Sequence, residues 1–367
     1  MNTYIGGHPD LSFDPPFFTF DDETREHLTV LELGSGTGVV AAQCIQTLSN
    51  RKPVASAKAA TVIVTDLPEV CPLLEKNLSK DAATSSLGGT SQAGAPQCEL
   101  LIRPLAWGCH AHVAAIFEEL VERQRRGHGS SGMPIVLLPP DTGPNIISHI
   151  VCSDLVRTTI FAPSLRLHPT PPLHSCLFVH TYITPLACLF VYLSANHLLA
   201  QVYFPELLAP LLRTLLELSS PPFVSRSTDP QRWPKIIISY KTRSLSKETP
   251  FWSTFGLWFS FSPVLVRTSK PKPKLTPAER TRWSDVSNDD DARDGGEEED
   301  ESDVWTRFGA EDDGDVFVFV ARRRKESLDW DVPLDDAELL SGVGAGGDGL
   351  RKSDDTFETL LLMSLSS

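Results

Sequence analysis

The chain carries, near its start, the stretch Thr29-Val-Leu-Glu-Leu-Gly34-Ser-Gly36-Thr-Gly38. An apolar run that ends in closely spaced glycines predicts a strand and a tight turn. The small and apolar residues at helical spacing over 39–48 predict a helix after that turn. A second apolar run, Ala60–Asp66, is followed by a candidate helix, Glu69–Leu78. Two such units in tandem predict a parallel, doubly wound α/β sheet.

The rest of the chain supplies further strands and helices of the same kind. One candidate strand begins at Glu99, and four more cover Ile146–Cys152, Lys235–Tyr240, Phe261–Val266 and Val316–Val320. Candidate helices cover Ala111–Arg123 and Tyr203–Leu218. The fourth strand is followed by Ser153 and Asp154. Open α/β sheets form their sites at the carboxyl ends of the strands, so these two residues are candidates for a site.

The spacing of the glycines indicates which cofactor the turn binds. A dinucleotide site usually reads Gly-x-Gly-x-x-Gly, so that a pyrophosphate can lie on the helix N-terminus. Here the spacing is Gly34-x-Gly36-x-Gly38, with Glu32 two residues earlier. S-adenosylmethionine has no pyrophosphate, and its amino-acid end and ribose require close backbone approach and a carboxylate. Asp66, at the end of the second strand, is placed to accept hydrogen bonds from the ribose hydroxyls.

Four motifs occur in order along the chain: Val30-Leu-Glu-Leu-Gly-Ser-Gly-Thr-Gly38, Thr65-Asp66-Leu-Pro, Leu105-Ala-Trp107-Gly108 and Ser153-Asp154-Leu-Val156. They resemble those of the methyltransferase-like protein-lysine methyltransferases, methyltransferase family 16. The resemblance covers about residues 29–154 and 203–320. It implies a Rossmann-like class I methyltransferase fold with three α/β/α layers. The sheet of that fold has seven strands, mostly parallel, with the last strand antiparallel.

The same resemblance implies the cofactor and the residues that bind it. The cofactor is S-adenosyl-L-methionine, and Trp107 lines the adenine pocket, with a plain core or surface-anchoring indole as the alternative. The cofactor-binding candidates are Glu32, Gly34, Ser35, Gly36, Gly38, Asp66, Leu67, Trp107 and Ser153.

The family's hallmark, Asp-x-x-Tyr/Phe after the fourth strand, is interrupted. Asp154-Leu-Val156 is followed by Arg157, and removal of residues 157–202 would join it to Tyr203-Phe-Pro-Glu206. We interpret 157–202 as an insert, most simply an unspliced intron read in frame, and assign Asp154 and Tyr203 as the catalytic pair. The rival interpretation, a membrane helix at Cys176–Ala200, is disfavoured because the run contains polar residues and lacks flanking basic clusters.

Aromatic residues follow the fifth strand. Tyr240 and Phe251 are candidates for the substrate channel, since π faces stabilise both a sulfonium and an ammonium. The alternative is that the aromatic residues of this segment are core residues of the last hairpin, namely Phe251, Trp252, Phe255, Trp258 and Phe259.

Charge and cysteine content exclude several function classes. The segment Asp285–Asp315 has fifteen Asp and Glu against two Arg, so it holds nearly all of the net charge of −14. The remainder has no basic stripe for a phosphate backbone, and nucleic acid is not expected as a partner. The seven scattered cysteines contain no Cys-x-x-Cys pair, which indicates reduced thiols in the cytosol or the nucleus, without a metal site. Residues 1–22 lack the pattern of a secretory signal.

These observations predict the organisation of the chain. We expect an N-terminal segment (1–28), truncated because it lacks a Trp, followed by methyltransferase parts at 29–156 and 203–266 around the insert 157–202. An acidic disordered loop (267–315) and a last strand with a tail (316–367) complete the chain. The expected protein is a monomer, outside the membrane, that methylates a lysine of a protein such as a chaperone or an elongation factor. The alternatives are another acceptor, or a catalytically dead S-adenosylmethionine-binding product because of the insert.

Overall fold

The computed structural model describes residues 1–19, 21–22, 25, 27–51, 59–85, 98–127, 146–155, 205–226, 229–268, 304–310 and 316–365. The prediction of an insert at 157–202, the candidate membrane helix within it and Tyr203 lie outside the described residues.

A seven-stranded sheet forms the centre of the structure. Its strands are β2 (His27–Leu33), β3 (Ala59–Asp66), β4 (Cys98–Pro104), β5 (His149–Leu155), β6 (Lys235–Lys241), β7 (Phe259–Pro263) and β10 (Val316–Arg323). Their order is β4-β3-β2-β5-β6-β10-β7. The first five strands in this order run parallel, whereas β10 is antiparallel to both β6 and β7. The predicted Rossmann-like sheet, with its last strand antiparallel, is confirmed.

Side chains alternate between the two faces of the sheet, and helices cover both faces. In β6, Ile236 and Ile238 enter one core cluster and Ile237 enters the other, as the two-residue period of a strand requires. The helices are α1 (Asn2–Gly6), α2 (Val39–Ser49), α3 (Cys71–Ser85), α4 (His110–Gly127), α5 (Leu208–Leu218), α6 (Leu245–Trp258), α7 (Asp336–Leu340) and α8 (Thr356–Leu365). Residues of α1, α2 and α3 pack on one face, and residues of α4, α5, α6 and α8 pack on the other.

A second, three-stranded sheet joins the N-terminal segment to the region after β7. In it, β1 (Leu11–Asp14) pairs with β8 (Leu265–Thr268), and β8 pairs with β9 (Thr306–Arg307). The described residues 304–310 fall within the segment predicted as a disordered acidic loop, yet they include the short strand β9, and the Phe308 amide donates to the Val264 carbonyl. The acidic stretch 269–303 lies outside the described residues.

The aromatic segment after β6 differs from the expected hairpin core. Residues Leu245–Trp258 form α6, which continues through Pro250, and the hairpin strand β7 begins only at Phe259. The buried rings Phe251, Phe255 and Trp258 recur at helical spacing and therefore belong to this helix. Among the described helices, none combines the length and the apolar character that a membrane crossing requires.

Candidate cofactor and methyl-transfer site

The candidate residues gather at the carboxyl edge of the parallel strands. The chain leaves β2 towards β3 and β4 on one side, whereas β5 and β6 extend the sheet on the other side of β2. The adjacent ends of β2 and β5 are therefore the switch point at which open α/β sheets form their ligand crevice. Glu32 and Ser153 lie at these two ends.

The glycine turn has a conformation that side chains rarely adopt. Gly34, Gly36 and Gly38 have φ angles of 65°, 54° and 81°. A Cβ at Gly38 would lie 3.2 Å from Leu78, so α2 begins at a point where α3 is already close. The Ser35 amide donates to the Thr65 carbonyl at 3.0 Å, which joins the turn to β3. The turn therefore brings backbone, rather than side chains, to the edge of the sheet.

Asp66 secures the turn from the neighbouring strand. Its Oδ2 accepts the Gly36 amide and its Oδ1 accepts the Leu67 amide, both at 2.7 Å. Each carboxylate oxygen can still accept another hydrogen bond, since it has two lone pairs. The expected contact with ribose hydroxyls stays a prediction, and the structure adds a role in shaping the turn. Leu67 is 44% exposed at the same edge.

Glu32 and Ser153 are joined across β2 and β5. The Ser153 hydroxyl donates to Glu32 Oε1 at 2.7 Å, and Thr65 donates to the Glu32 carbonyl at 2.6 Å. Glu32 is only 1% exposed. Burial, assisted by the Glu32 carboxylate, raises the pKa of the neighbouring Cys152 thiol well above its ordinary range. Cys152 is therefore a neutral thiol beside the Glu32 carboxylate.

Trp107 follows β4 and lies between two residues, Leu105 and Gly108, whose backbone amides are hydrogen-bonded. The Leu105 amide donates to the Asp66 carbonyl at 2.7 Å, and the Gly108 amide donates to Thr214 Oγ1 at 2.8 Å. Its indole is half-buried and packs against the core, so one part of the ring remains accessible. This position beside Asp66 agrees with the predicted adenine wall, which stays a prediction.

A bulge marks the end of β5. Cys152 pairs with Ile238 and Leu155 pairs with Tyr240, so Ser153 and Asp154 together oppose the single residue Ser239. A bulge of this kind turns side chains away from the regular alternation and is common beside active sites. The backbone of Asp154 lies at this bulge, next to the Glu32–Ser153 pair. Its side chain, like all of Tyr203, lies outside the described residues.

The two candidates for the substrate channel occupy different surroundings from those expected. Tyr240 and Phe251 are 3% and 1% exposed, and both belong to the core cluster to which α6 contributes. Tyr240 contacts Trp252 edge-on at 5.0 Å, and Phe251 stacks on Phe255 at 5.7 Å. Both rings are packed among aromatic side chains, Phe251 on α6 itself and Tyr240 against Trp252 of that helix, and their assignment to the substrate channel stays a prediction.

One ionisable residue of this region was given no individual role from the sequence. Glu248 is 1% exposed and accepts hydrogen bonds from the Tyr240 hydroxyl and from the amides of Arg243 and Ser244. The signal was a lone acid beside an aromatic run, because such a carboxylate must have donors if the run is buried. Among the described residues, no cluster of His, Cys, Asp or Glu could hold a metal ion.

The glycine turn and Asp66 lie within one segment of the chain that matches a known protein family. Residues 11–108 match the lysine methyltransferase family. This match confirms the resemblance inferred from the motifs, and it supports methyltransferase activity. It covers β1 to β4 and ends after Trp107, so that Ser153, Asp154 and Tyr203 lie beyond it. No curated protein matches the chain.

Proposed function

We propose that the chain is an S-adenosylmethionine-dependent methyltransferase that acts on a lysine of a cytosolic or nuclear protein. One observation carries the proposal: the glycine turn, fixed by Asp66, lies beside the buried Glu32 and its partner Ser153 in a chain whose residues 11–108 match the lysine methyltransferase family.

The residues at this edge fit the cofactor. Ser35 Oγ is buried, yet it has no hydrogen-bond partner among the residues that the structure describes. A buried hydroxyl without a partner is costly, so a bound polar group is the natural complement. Glu32 adds a buried carboxylate suited to the cationic amino-acid end, and Asp66 retains lone pairs for the ribose.

The reaction requires little more of the protein than alignment. When bound, S-adenosylmethionine supplies a methyl group on a positively charged sulfur. In our proposal Asp154, at the bulge of β5, orients the lysine amine or accepts its proton, and in the uninterrupted form Tyr203 would follow it and form the channel. Holding an amine in line with the methyl group lowers the barrier chiefly through orientation. We further propose a protein acceptor, such as a chaperone or an elongation factor, and a monomeric enzyme.

The experiment uses the purified full chain and S-adenosylmethionine labelled in the methyl group. We expect label in proteins of a cell extract, on lysine, and none in small amines. Asp154→Asn should abolish the transfer and leave cofactor binding, measured by calorimetry, within about 3-fold. Labelling of small amines alone would contradict the lysine assignment, and equal labelling by the Asp154→Asn variant would contradict the role of Asp154.

One observation favours a second candidate function. The hallmark is split, with 46 residues, 157–202, between Val156 and Tyr203. A chain that binds the cofactor but transfers nothing would be a binding product without activity. Cofactor binding by calorimetry together with no label in any acceptor would support this second function.

A further inference from the structure

Glu248 is a buried carboxylate beside the end of β6. It is on the first turns of α6, directly after β6, and is 1% exposed. A carboxylate this deeply buried requires several donors. It receives them from three residues of one short segment, 240–244.

The hydrogen bonds of Glu248 join a side chain to a loop. Its Oε2 accepts the Tyr240 hydroxyl, and its Oε1 accepts the Arg243 amide at 3.2 Å and the Ser244 amide at 3.0 Å. Burial, together with the Glu248 carboxylate, raises the pKa of Tyr240 far above its ordinary range. Tyr240 is therefore a neutral phenol that donates to Glu248, and the carboxylate fixes both ends of the turn out of β6.

Tyr240 is also the residue that closes the bulge of β5. Its register partner is Leu155, and the bulge residues Ser153 and Asp154 lie immediately before that pair. The ring is held on its other sides by Trp252 at 5.0 Å and Phe357 at 5.8 Å. Because Tyr240 pairs with Leu155, a shift of Tyr240 would move the backbone directly after the bulge residues Ser153 and Asp154.

We propose that Glu248 is a positioning residue for methyl transfer: by holding Tyr240 it fixes the bulge that presents Asp154. The inference rests on the proposed function for its kinetic consequences, but its structural consequence can be measured without any turnover. Glu248 does not touch the reacting atoms in this proposal.

A simpler role is a helix cap. Ser244 precedes α6, and a Glu that reaches back to the amide before the helix resembles a capping box. A cap would stabilise α6 without regard to the bulge. The hydrogen bond from Tyr240 is the contact that a cap does not need, and the test is built on it.

The test compares full-length Glu248→Gln and Tyr240→Phe with the double variant that carries both substitutions. The matched control is Asp335→Asn, since Asp335 caps α7 by accepting the Glu338 amide at 2.9 Å. We expect Glu248→Gln and Tyr240→Phe each to lower kcat about 10- to 100-fold, as a displaced reacting group does. The KM for S-adenosylmethionine should stay within about 3-fold, and the control should leave kcat unchanged.

Two readouts decide the matter. In the Tyr240→Phe background, Glu248→Gln should cause no further loss of kcat, because residues that act as one unit are not additive. Amide exchange at 152–155 should also become faster in Glu248→Gln and in Tyr240→Phe than in Asp335→Asn. Additive losses, with unchanged exchange at 152–155, would overturn the proposal. If the wild-type chain transfers no methyl group, the proposed function fails, and the exchange measurement alone decides the positioning role.

Discussion

The hydroxyl of Ser153 donates a hydrogen bond to the carboxylate of Glu32, at 2.7 Å, across the neighbouring strands β5 and β2. The two residues are 121 positions apart in the chain, and both were assigned to the cofactor from separate motifs. Their contact joins the first and fourth motifs into one site. It also gives Glu32, which is buried, a fixed orientation.

This contact predicts unequal effects of two substitutions on cofactor affinity. Glu32→Gln removes the charge and should weaken S-adenosylmethionine binding at least about 10-fold, since a hydrogen bond to a charged group contributes about 1.5–3 kcal/mol. Ser153→Ala only frees the orientation of Glu32 and should cost less, about 3- to 5-fold. Calorimetry measures both, with the exposed Glu118→Gln as control. An unchanged affinity in Glu32→Gln would show that Glu32 does not face the cofactor.

Asp66 offers a second prediction, because its two oxygens hold two amides of the backbone. Asp66→Ala should loosen the glycine turn, lower the melting temperature and weaken S-adenosylmethionine binding about 10- to 100-fold. Asp66→Asn keeps one acceptor oxygen and should fall between the wild type and Asp66→Ala. Calorimetry and thermal unfolding on the same samples separate affinity from stability. Equal affinity in all three proteins would contradict the role of Asp66.

Gly38 yields a prediction about stability. Its φ angle is 81°, and a Cβ there would lie 3.2 Å from Leu78. Gly38→Ala should therefore lower the free energy of unfolding by about 1–3 kcal/mol, through backbone strain and crowding against α3. The control is Gly349→Ala, where a Cβ would meet nothing within 4 Å. Urea unfolding of both variants measures the difference, and equal stabilities would contradict it.

The sequence determines the parallel half of the sheet more clearly than the rest. Strands β2 and β3 are continuous apolar runs that end in recognisable turns, so the switch point followed from the motifs. The helix α6 could not be predicted in this way. Proline is disfavoured in the interior of a helix, which Pro250 occupies, and the aromatic residues around it are also common in hairpins. Tertiary packing favours the helix over a hairpin here, since α6 has a buried face between the sheet and α8.

The contacts of Glu248 and the three-stranded sheet could not be predicted, because they depend on pairings between residues that no local sequence pattern shows. A single acid beside aromatic residues does not reveal that Tyr240 will donate to it from the preceding strand. Likewise, β1 pairs with β8 across about 250 residues of sequence, and such register is set by tertiary packing. The residues of the candidate site that lie within motifs could therefore be predicted, whereas the contacts between residues far apart in the sequence could not.

The split hallmark predicts the outcome of a deletion. β5 ends at Leu155 and a short 3-10 helix begins at Pro205, so removal of 157–202 leaves both flanking elements entire. We expect the shortened chain to bind S-adenosylmethionine at least as tightly as the full chain and to transfer methyl groups faster, because Tyr203 then follows Val156. Calorimetry and methyl-label transfer on both proteins measure this. Loss of binding on deletion would contradict the interpretation of the segment as an insert.

The last prediction concerns a charged cluster at the opposite edge of the sheet. Lys235 begins β6 and is 2% exposed; its Nζ donates to the Phe17 carbonyl at 2.8 Å and lies 3.7 Å from Asp22 Oδ2. His149, its register partner in β5, lies 3.6 Å from the same Asp22 oxygen. Burial lowers the pKa of Lys235 from about 10.5 to about 8, although Asp22 opposes the shift.

The lowered pKa of Lys235 fixes the sign of a pH effect. Between about pH 8 and 10.5 the unfolded chain holds a proton on Lys235 that the folded chain has lost, so folding becomes more favourable as the pH rises. The stability of the wild type relative to Lys235→Met should therefore increase over this interval, by at most about 1.4 kcal/mol per pH unit. Urea unfolding at several pH values measures the difference, with the exposed Lys325→Met as control. A flat or decreasing difference would show that the buried lysine keeps its proton throughout.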